Sequence, residues 1–192
     1  MIGHEAIRSR GTIGGSLAHA DPAAELPALA LALEAEMTLS SAKGARSVGA
    51  ETFFQSFFTT ALAANEILTE VRFPAPPKDS AWSVLEISRR HGDFAIVGIV
   101  AGLALEPDRQ VIAQARLVYF GVGPTPIRVK AAEEALIGQA AAEPAFEAAA
   151  QSAKQGIDPS NDIHASEAYR RAVAASLTKR ALRAALEKLR KN

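Results

Sequence analysis

Three of the four residues from 74 to 77 are proline, and this run, PAPPKDSAW from Pro74 to Trp82, constrains the fold of the 192-residue chain more than any other stretch. Proline fixes φ and carries no amide hydrogen, so neither a helix interior nor a central strand can pass through it. The chain therefore divides there, with residues 1–74 as one unit, 75–81 as a linker and 82–192 as a second unit. A chain of this length buries roughly 70% of the surface its unfolded form exposes, so it needs no covalent staple. Cysteine is absent, which excludes a thiol nucleophile, a thiolate metal site and an iron–sulfur cluster carried on this chain.

After the prolines, three apolar segments read as strands: Trp82–Ser88, Phe94–Leu105 and Val111–Val122, with EPDRQ as the hairpin turn between the last two. From Arg128 the period becomes helical, over about 128–137, 143–155 and 166–190. In the last helix Tyr169, Val173, Leu177, Leu182, Leu186 and Leu189 form one apolar stripe. Strands followed by helices point to an α+β fold, a three-stranded antiparallel sheet packed with a helical bundle. The first unit mixes the two element types. His4–Arg8 predicts a helical turn, and Asp21 before Pro22 predicts the start of a helix running from Ala23 to about Leu33, kinked by Pro27. Glu36–Ser41 alternates as a strand, Ala42–Gly44 turns, and Arg46–Gly49 pairs back. Phe53, Phe54, Phe57 and Phe58 stand at helical spacing and are expected in the core. Ile67–Phe73 predicts a strand with Ile67, Thr69, Val71 and Phe73 on one face and Leu68, Glu70 and Arg72 on the other.

Charge narrows the function classes. Lysine plus arginine balance aspartate plus glutamate at 21 each, so no overall field favours nucleic acid or an anionic membrane. Residues 166–192 are basic, with eight Lys/Arg against two Glu, but these cations flank an apolar stripe, so a solvated helix or a subunit contact fits better than nucleic acid. No apolar run reaches the ~18 residues of a membrane span. Met1 leads into Ile-Gly-His-Glu with no secretory-signal pattern visible, and the absence of cysteine suits the cytoplasm, so a cytoplasmic location is expected. The four histidines, His4, His19, His91 and His164, show no metal-ligand spacing, so no metal is expected. SRRHGD, Ser88–Asp93, predicts a strand end and turn with ion pairs at a subunit face, in preference to a catalytic cluster.

IRSRGTIGGSLAHADPAAELP, from Ile7, sets the paired glycines Gly14 and Gly15 ahead of the helix expected after Asp21. Amides at a glycine turn can converge on a phosphate because no Cβ blocks approach, and a helix start adds partial positive charge. The stretch matches neither G-x-G-x-x-G nor G-x-x-x-x-G-K-[ST], so on these residues alone a plain turn and a phosphate cradle both stay open. His19 in the same stretch is expected as a solvent-facing loop residue, with a cofactor contact as the other possibility.

RSRGTIGGSLAHADPAAELPA resembles the second flavin-contacting segment of the medium, FAD-binding subunit of molybdenum hydroxylases, the family of aerobic carbon monoxide dehydrogenase and xanthine dehydrogenase. EILTEVRFP, ISRRHGDFAIVGIVAGL and HASEAYRRAVAASLTKRAL are similar to the strand closing that family's FAD domain and to the opening and final helix of its C-terminal domain. The resemblance implies that Thr12, Ile13, Gly14, Gly15 and Ser16 wrap the FAD pyrophosphate and ribityl region, that Glu25 helps hold the cofactor, and that Ile67 and Leu68 lie near the flavin end. It also implies a flavin-contacting lysine near Leu85, where this chain has none. The family's separate N-terminal subdomain, with its own Gly-Gly motif, has no counterpart in residues 1–192, so FAD binding by this chain alone is expected to be weak or absent. By the same resemblance the chain is an oxidoreductase subunit with no catalytic side chain of its own. Its FAD would take electrons from two [2Fe–2S] clusters on a small iron–sulfur subunit, with the molybdenum cofactor on a large subunit. The alternative is a cofactor-free scaffold that docks on those subunits. A yellow protein would support the first, and a colourless one that still binds its partners the second.

Overall fold

The segment ELPALALA is apolar on every side, and a helix of that kind has to be covered on every side. A computed structural model, which describes residues 2–107 and 110–191, shows how the fold meets that requirement. Three helices, α1 (Glu5–Arg8), α2 (Ile13–His19) and α3 (Glu25–Ala32), precede the first sheet. Ala30 of α3 joins a core with Leu17, Met37, Leu39 and Phe53, while Ala28 and Ala32 join a second core with Val100, Val118 and Phe120. The helix is thus shared between the two halves of the chain. It begins at Glu25 and not at Ala23, because the Asp21 carboxylate accepts from the Ala23 amide at 2.8 Å and forms a turn there. Pro27 lies in the first turn, where its missing amide hydrogen costs no intrahelical bond.

The first sheet has the order β2-β1-β5, from β1 (Glu36–Ser41), β2 (Gly44–Gly49) and β5 (Ile67–Arg72), all antiparallel. Between β2 and β5 come the short α4 (Ala50–Phe53), β3 (Phe54–Ser56) and β4 (Thr59–Thr60). The strict alternation expected of residues 67–73 fails at a bulge. Thr38 pairs with Glu70 and Leu39 with Leu68, so Thr69 is an extra residue and both Leu68 and Val71 turn toward the core. The phenylalanine cluster also divides. Phe53 and Phe54 are buried, but Phe57 and Phe58 are 55% and 57% exposed at the tip of the β3–β4 hairpin, outside the core where spacing placed them.

The second sheet is a meander of β6 (Ser80–Ser88), β7 (Ala95–Leu105), β8 (Ile112–Phe120) and a two-residue β9 (Ile127–Arg128), a fourth strand beside the three expected. Arg128 therefore ends a strand, and α5 (Lys130–Glu134) starts only after it. Of the EPDRQ turn, Asp108 and Arg109 lie outside the described residues; Glu106 and Val111 close it with a 2.9 Å hydrogen bond. One face of this sheet takes α3. The other takes α5 and α7 (Glu167–Lys191), with α6 (Glu143–Gly156) packed on those two helices, which explains why AIVGIVAGLAL is apolar along its length. The stripe on α7 turns further than expected: Tyr169 is half-exposed, and Arg170, Ala174, Leu177, Thr178, Ala181 and Leu182 face inward. Two buried hydroxyls tie sheet to helix. Tyr119 and Thr178 bond at 2.6 Å, and Ser83 donates to the Ala181 carbonyl at 2.8 Å. Among the described residues, no helix is long and apolar enough to cross a membrane.

Candidate functional site

The glycine pair lies inside a helix and not in a turn ahead of one. Thr12 is the N-cap of α2, and its Oγ1 accepts from the Gly15 amide at 2.9 Å, while its carbonyl accepts from Ser16 at 3.1 Å. A Cβ at Gly15 would stand 2.8 Å from Thr12 Oγ1, so the Thr12 side chain as it now caps the helix would have to shift to admit any other residue there. Gly14 is different: a Cβ on it would meet nothing within 4 Å. Glycine weakens a helix by roughly 0.5–1 kcal/mol relative to alanine, and no contact inside this chain offsets that at position 14. The amides of Ile13 and Gly14 occupy the first two helical positions, which have no intrahelical acceptor. The surface above Gly14 is open to close approach by a group from outside.

The other expected residues fall on neighbouring elements. Glu25 is the first residue of α3, half-buried. Its charge, after burial as the larger cause, raises the Glu86 carboxyl on β6 above its usual range. Ile67 is 70% exposed on β5, whereas Leu68 packs inward as core. Leu85 lies against the core under α7. His19 is exposed at the end of α2 and meets the Phe58 ring in a tilted arrangement, with centroids 5.1 Å apart.

A concavity of about 700 Å³ adjoins α2 but is lined by none of Thr12, Ile13, Gly14, Gly15, Ser16, Glu25, Ile67 or Leu68. Ile7 and Asp21–Ala23, on either side of α2 in the chain, form one wall. The SRRHGD loop, Phe94 and the Gly121–Gly123 turn form another. Pro22 accepts from the Gly121 amide at 2.8 Å and joins these walls. Arg170 anchors the base from α7. Its Nη1 donates to the carbonyls of Ile96 and Gly121, and its Nη2 to Asp162 at 2.6 Å. Burial works against ionisation of Asp162, but the amides of Ala165 and His164 and the Arg170 guanidinium hold its carboxyl below the usual range. Phe57 and Phe94, 55% and 65% exposed, put two flat rings on the lining. The SRRHGD segment, expected at a subunit face, lines this cleft, with Arg89 Nη1 3.4 Å from His164 Nδ1.

Sequence reasoning did not single out Phe57, Phe94, Asp162 or Arg170 for the site. One signal was present: Arg170 stands in register with Ala174, Leu177 and Ala181, a cation on an inward stripe, which needs buried partners.

Residues 82–185 match the CO dehydrogenase flavoprotein C-terminal domain, and residues 1–76 match the FAD binding domain in molybdopterin dehydrogenase. The chain belongs to the CO dehydrogenase flavoprotein family. This flavoprotein-family chain is 41% identical over 189 residues to the 6-hydroxypseudooxynicotine dehydrogenase complex subunit alpha of Paenarthrobacter nicotinovorans, covering 98% of the chain and 64% of that protein. It is 34% identical to the carbon monoxide dehydrogenase medium chain of Hydrogenophaga pseudoflava over 96% of the chain and 64% of that protein. Among solved structures, carbon monoxide dehydrogenase from Hydrogenophaga pseudoflava superposes with a TM-score of 0.92 at 36% identity, over 97% of this chain and 64% of that one. Quinoline 2-oxidoreductase from Pseudomonas putida 86 gives 0.92 at 36% identity, over 98% and 65%. The flavoprotein-family chain thus spans just under two thirds of the relatives it matches.

Proposed function

We propose that this chain supplies part of the FAD site in the flavoprotein component of a molybdenum-containing hydroxylase. In this role it passes electrons from iron–sulfur clusters on a small partner subunit to an acceptor, while a large partner subunit carries the molybdenum cofactor. The observation that carries the reading is Gly14, a helix-weakening residue with no internal reason to be glycine, in a segment matched to an FAD-binding family. The residues fit the cofactor. The amides of Ile13 and Gly14 have no intrahelical acceptor, and a Cβ on Gly14 would meet open space, so the first turn of α2 leaves room for a diphosphate oxygen. Glu25 and Ile67 stand on elements beside α2, within the span that the resemblance assigns to the cofactor. The rings of Phe57 and Phe94 offer a concave aromatic surface for a flat heterocycle. FAD, when bound, supplies the electron-accepting ring; the chain's part is to bind it, orient it and shield it from water. No side chain here needs to move a proton.

None of the expected residues lines the cleft, so the chain's own affinity for FAD is expected to be weaker than about 1 µM, for want of contacts to offset association entropy. Titration of FAD fluorescence with the chain tests the proposal. Weak saturable binding that Gly14→Val lowers by roughly tenfold supports it, the branched side chain filling the approach to the amides. Binding that Gly14→Val leaves unchanged would refute the placement.

A further inference from the structure

β6 is the outermost strand of its sheet, with β7 on one side and no strand on the other among the described residues. Which of its backbone groups face outward follows from one bond. The Leu105 amide donates to the Asp79 carbonyl at 3.4 Å, just before the first pair of the β6–β7 ladder. Along an antiparallel strand, alternate residues turn both backbone groups to the same side. Ala81, Ser83, Leu85 and Ile87 therefore spend theirs on β7, and Ser80, Trp82, Val84 and Glu86 turn theirs outward. None of these four outward-facing residues is buried.

A row of outward amides and carbonyls is a template for another strand, and natural sheets blunt such edges with prolines, bulges or a lysine. β6 shows all three. Pro76 and Pro77, then Asp79 at φ +52, end the extended line before Ser80, and a register shift between Ile87 and Ser88 bends it afterwards. Between these two breaks, Lys188 Nζ donates to the Trp82 carbonyl at 2.7 Å, on the exposed side of the strand. Lys188 reaches there from the last turn of α7, which the buried Leu186 and Leu189 fix to the core.

We propose that the outward edge of β6 is a strand-addition surface that fits a second copy of this chain, and that Lys188 holds it closed. The edge is self-complementary. With Val84 opposite the same residue of a second copy in antiparallel pairing, Trp82 falls opposite Glu86, so outward-facing residues meet outward-facing residues on both sides of a two-fold axis. The Trp82 carbonyl would then accept from the Glu86 amide of the second copy. Lys188 already donates to that carbonyl, so the lysine and the incoming strand compete for it. The inference rests on the β6 edge alone and does not depend on the flavin reading.

Sedimentation equilibrium of the full chain over a range of concentrations tests this, with site-resolved amide exchange on the same samples. Lys188→Ala is expected to raise the self-association constant by roughly tenfold or more over the wild type, and Lys188→Arg, which keeps a charged donor, to leave it unchanged. In Lys188→Ala the Val84 and Glu86 amides should exchange more slowly as concentration rises. Adding Val84→Pro removes an outward amide without touching the bonds to β7, and should abolish the gain. The proposal is overturned if Lys188→Ala associates no more than the wild type, if a natively folded Val84→Pro double variant still associates, or if the Val84 and Glu86 amides gain no protection. If the double variant does not fold, the exchange of those two amides decides.

Discussion

An alanine at position 15 would press its Cβ to 2.8 Å from the Thr12 oxygen that caps α2, while an alanine one residue earlier would meet open space. Adjacent and identical residues should therefore respond with opposite sign. Gly14→Ala is expected to stabilise the chain by about 0.5–1 kcal/mol, since alanine is the better helix former and nothing obstructs it. Thr12→Ala is expected to destabilise by about 1 kcal/mol through loss of the cap, and Gly15→Ala to destabilise by less, by displacing the Thr12 hydroxyl that its Cβ would crowd. Urea midpoints with unchanged slopes would measure all three, and a destabilised Gly14→Ala would mean that α2 uses this glycine for its own packing. The pair could not be placed in a helix from sequence alone, because Gly-Gly has low helix propensity and the segment is held helical by the Thr12 cap together with the burial of Leu17.

Elements are joined by polar contacts whose strength differs with burial. Arg46 on β2 donates to both Glu66 oxygens at 2.7 and 2.8 Å, and the Ala63 amide donates to the same carboxylate. These bonds, Arg46 first, lower the Glu66 carboxyl from 4.5 to about 2. A carboxyl depressed in the folded state contributes stability fully above its ordinary value. That contribution is lost as pH falls from about 4.5 through about 2. Carbon-detected NMR of Glu66 should show a midpoint near 2, and a midpoint near 4.5 would mean that the pair does not hold in solution. The buried link between β8 and α7 is the stronger one. Burial pushes the Tyr119 hydroxyl up, and Thr178 is its partner at 2.6 Å. Thr178→Val should cost about 1–3 kcal/mol by leaving that hydroxyl unmet, and adding Tyr119→Phe should cost less than the sum of the two changes. Strictly additive losses would contradict the link. The β1–β2 hairpin and the β6–β8 meander were legible in the sequence because alternation and turn residues agree there. The Thr69 bulge was not, since a single extra residue leaves no mark on an alternating strand. The cleft was not either, because Ile7, Phe94 and Arg170 meet only once the whole chain has folded.

Across the whole molecule α3 serves two cores at once, with Ala30 on one side and Ala28 and Ala32 on the other. The two halves that the prolines separate in sequence should therefore unfold together. Trp82 fluorescence and far-ultraviolet circular dichroism should give coincident denaturation curves, and Ala28→Leu should shift both by about 1–3 kcal/mol of overpacking. Two separated transitions would show that α3 does not couple the halves. That coupling also fixes the α2–α3 corner against the sheet end where Gly121 donates to Pro22, and so sets the groups proposed to face the flavin against a firm base. The most direct test of the proposed role is an amide NMR spectrum of the chain recorded with increasing FAD. The account predicts that the Ile13 and Gly14 amides move first and furthest. Shifts confined to other elements, with those two amides unmoved, would contradict it.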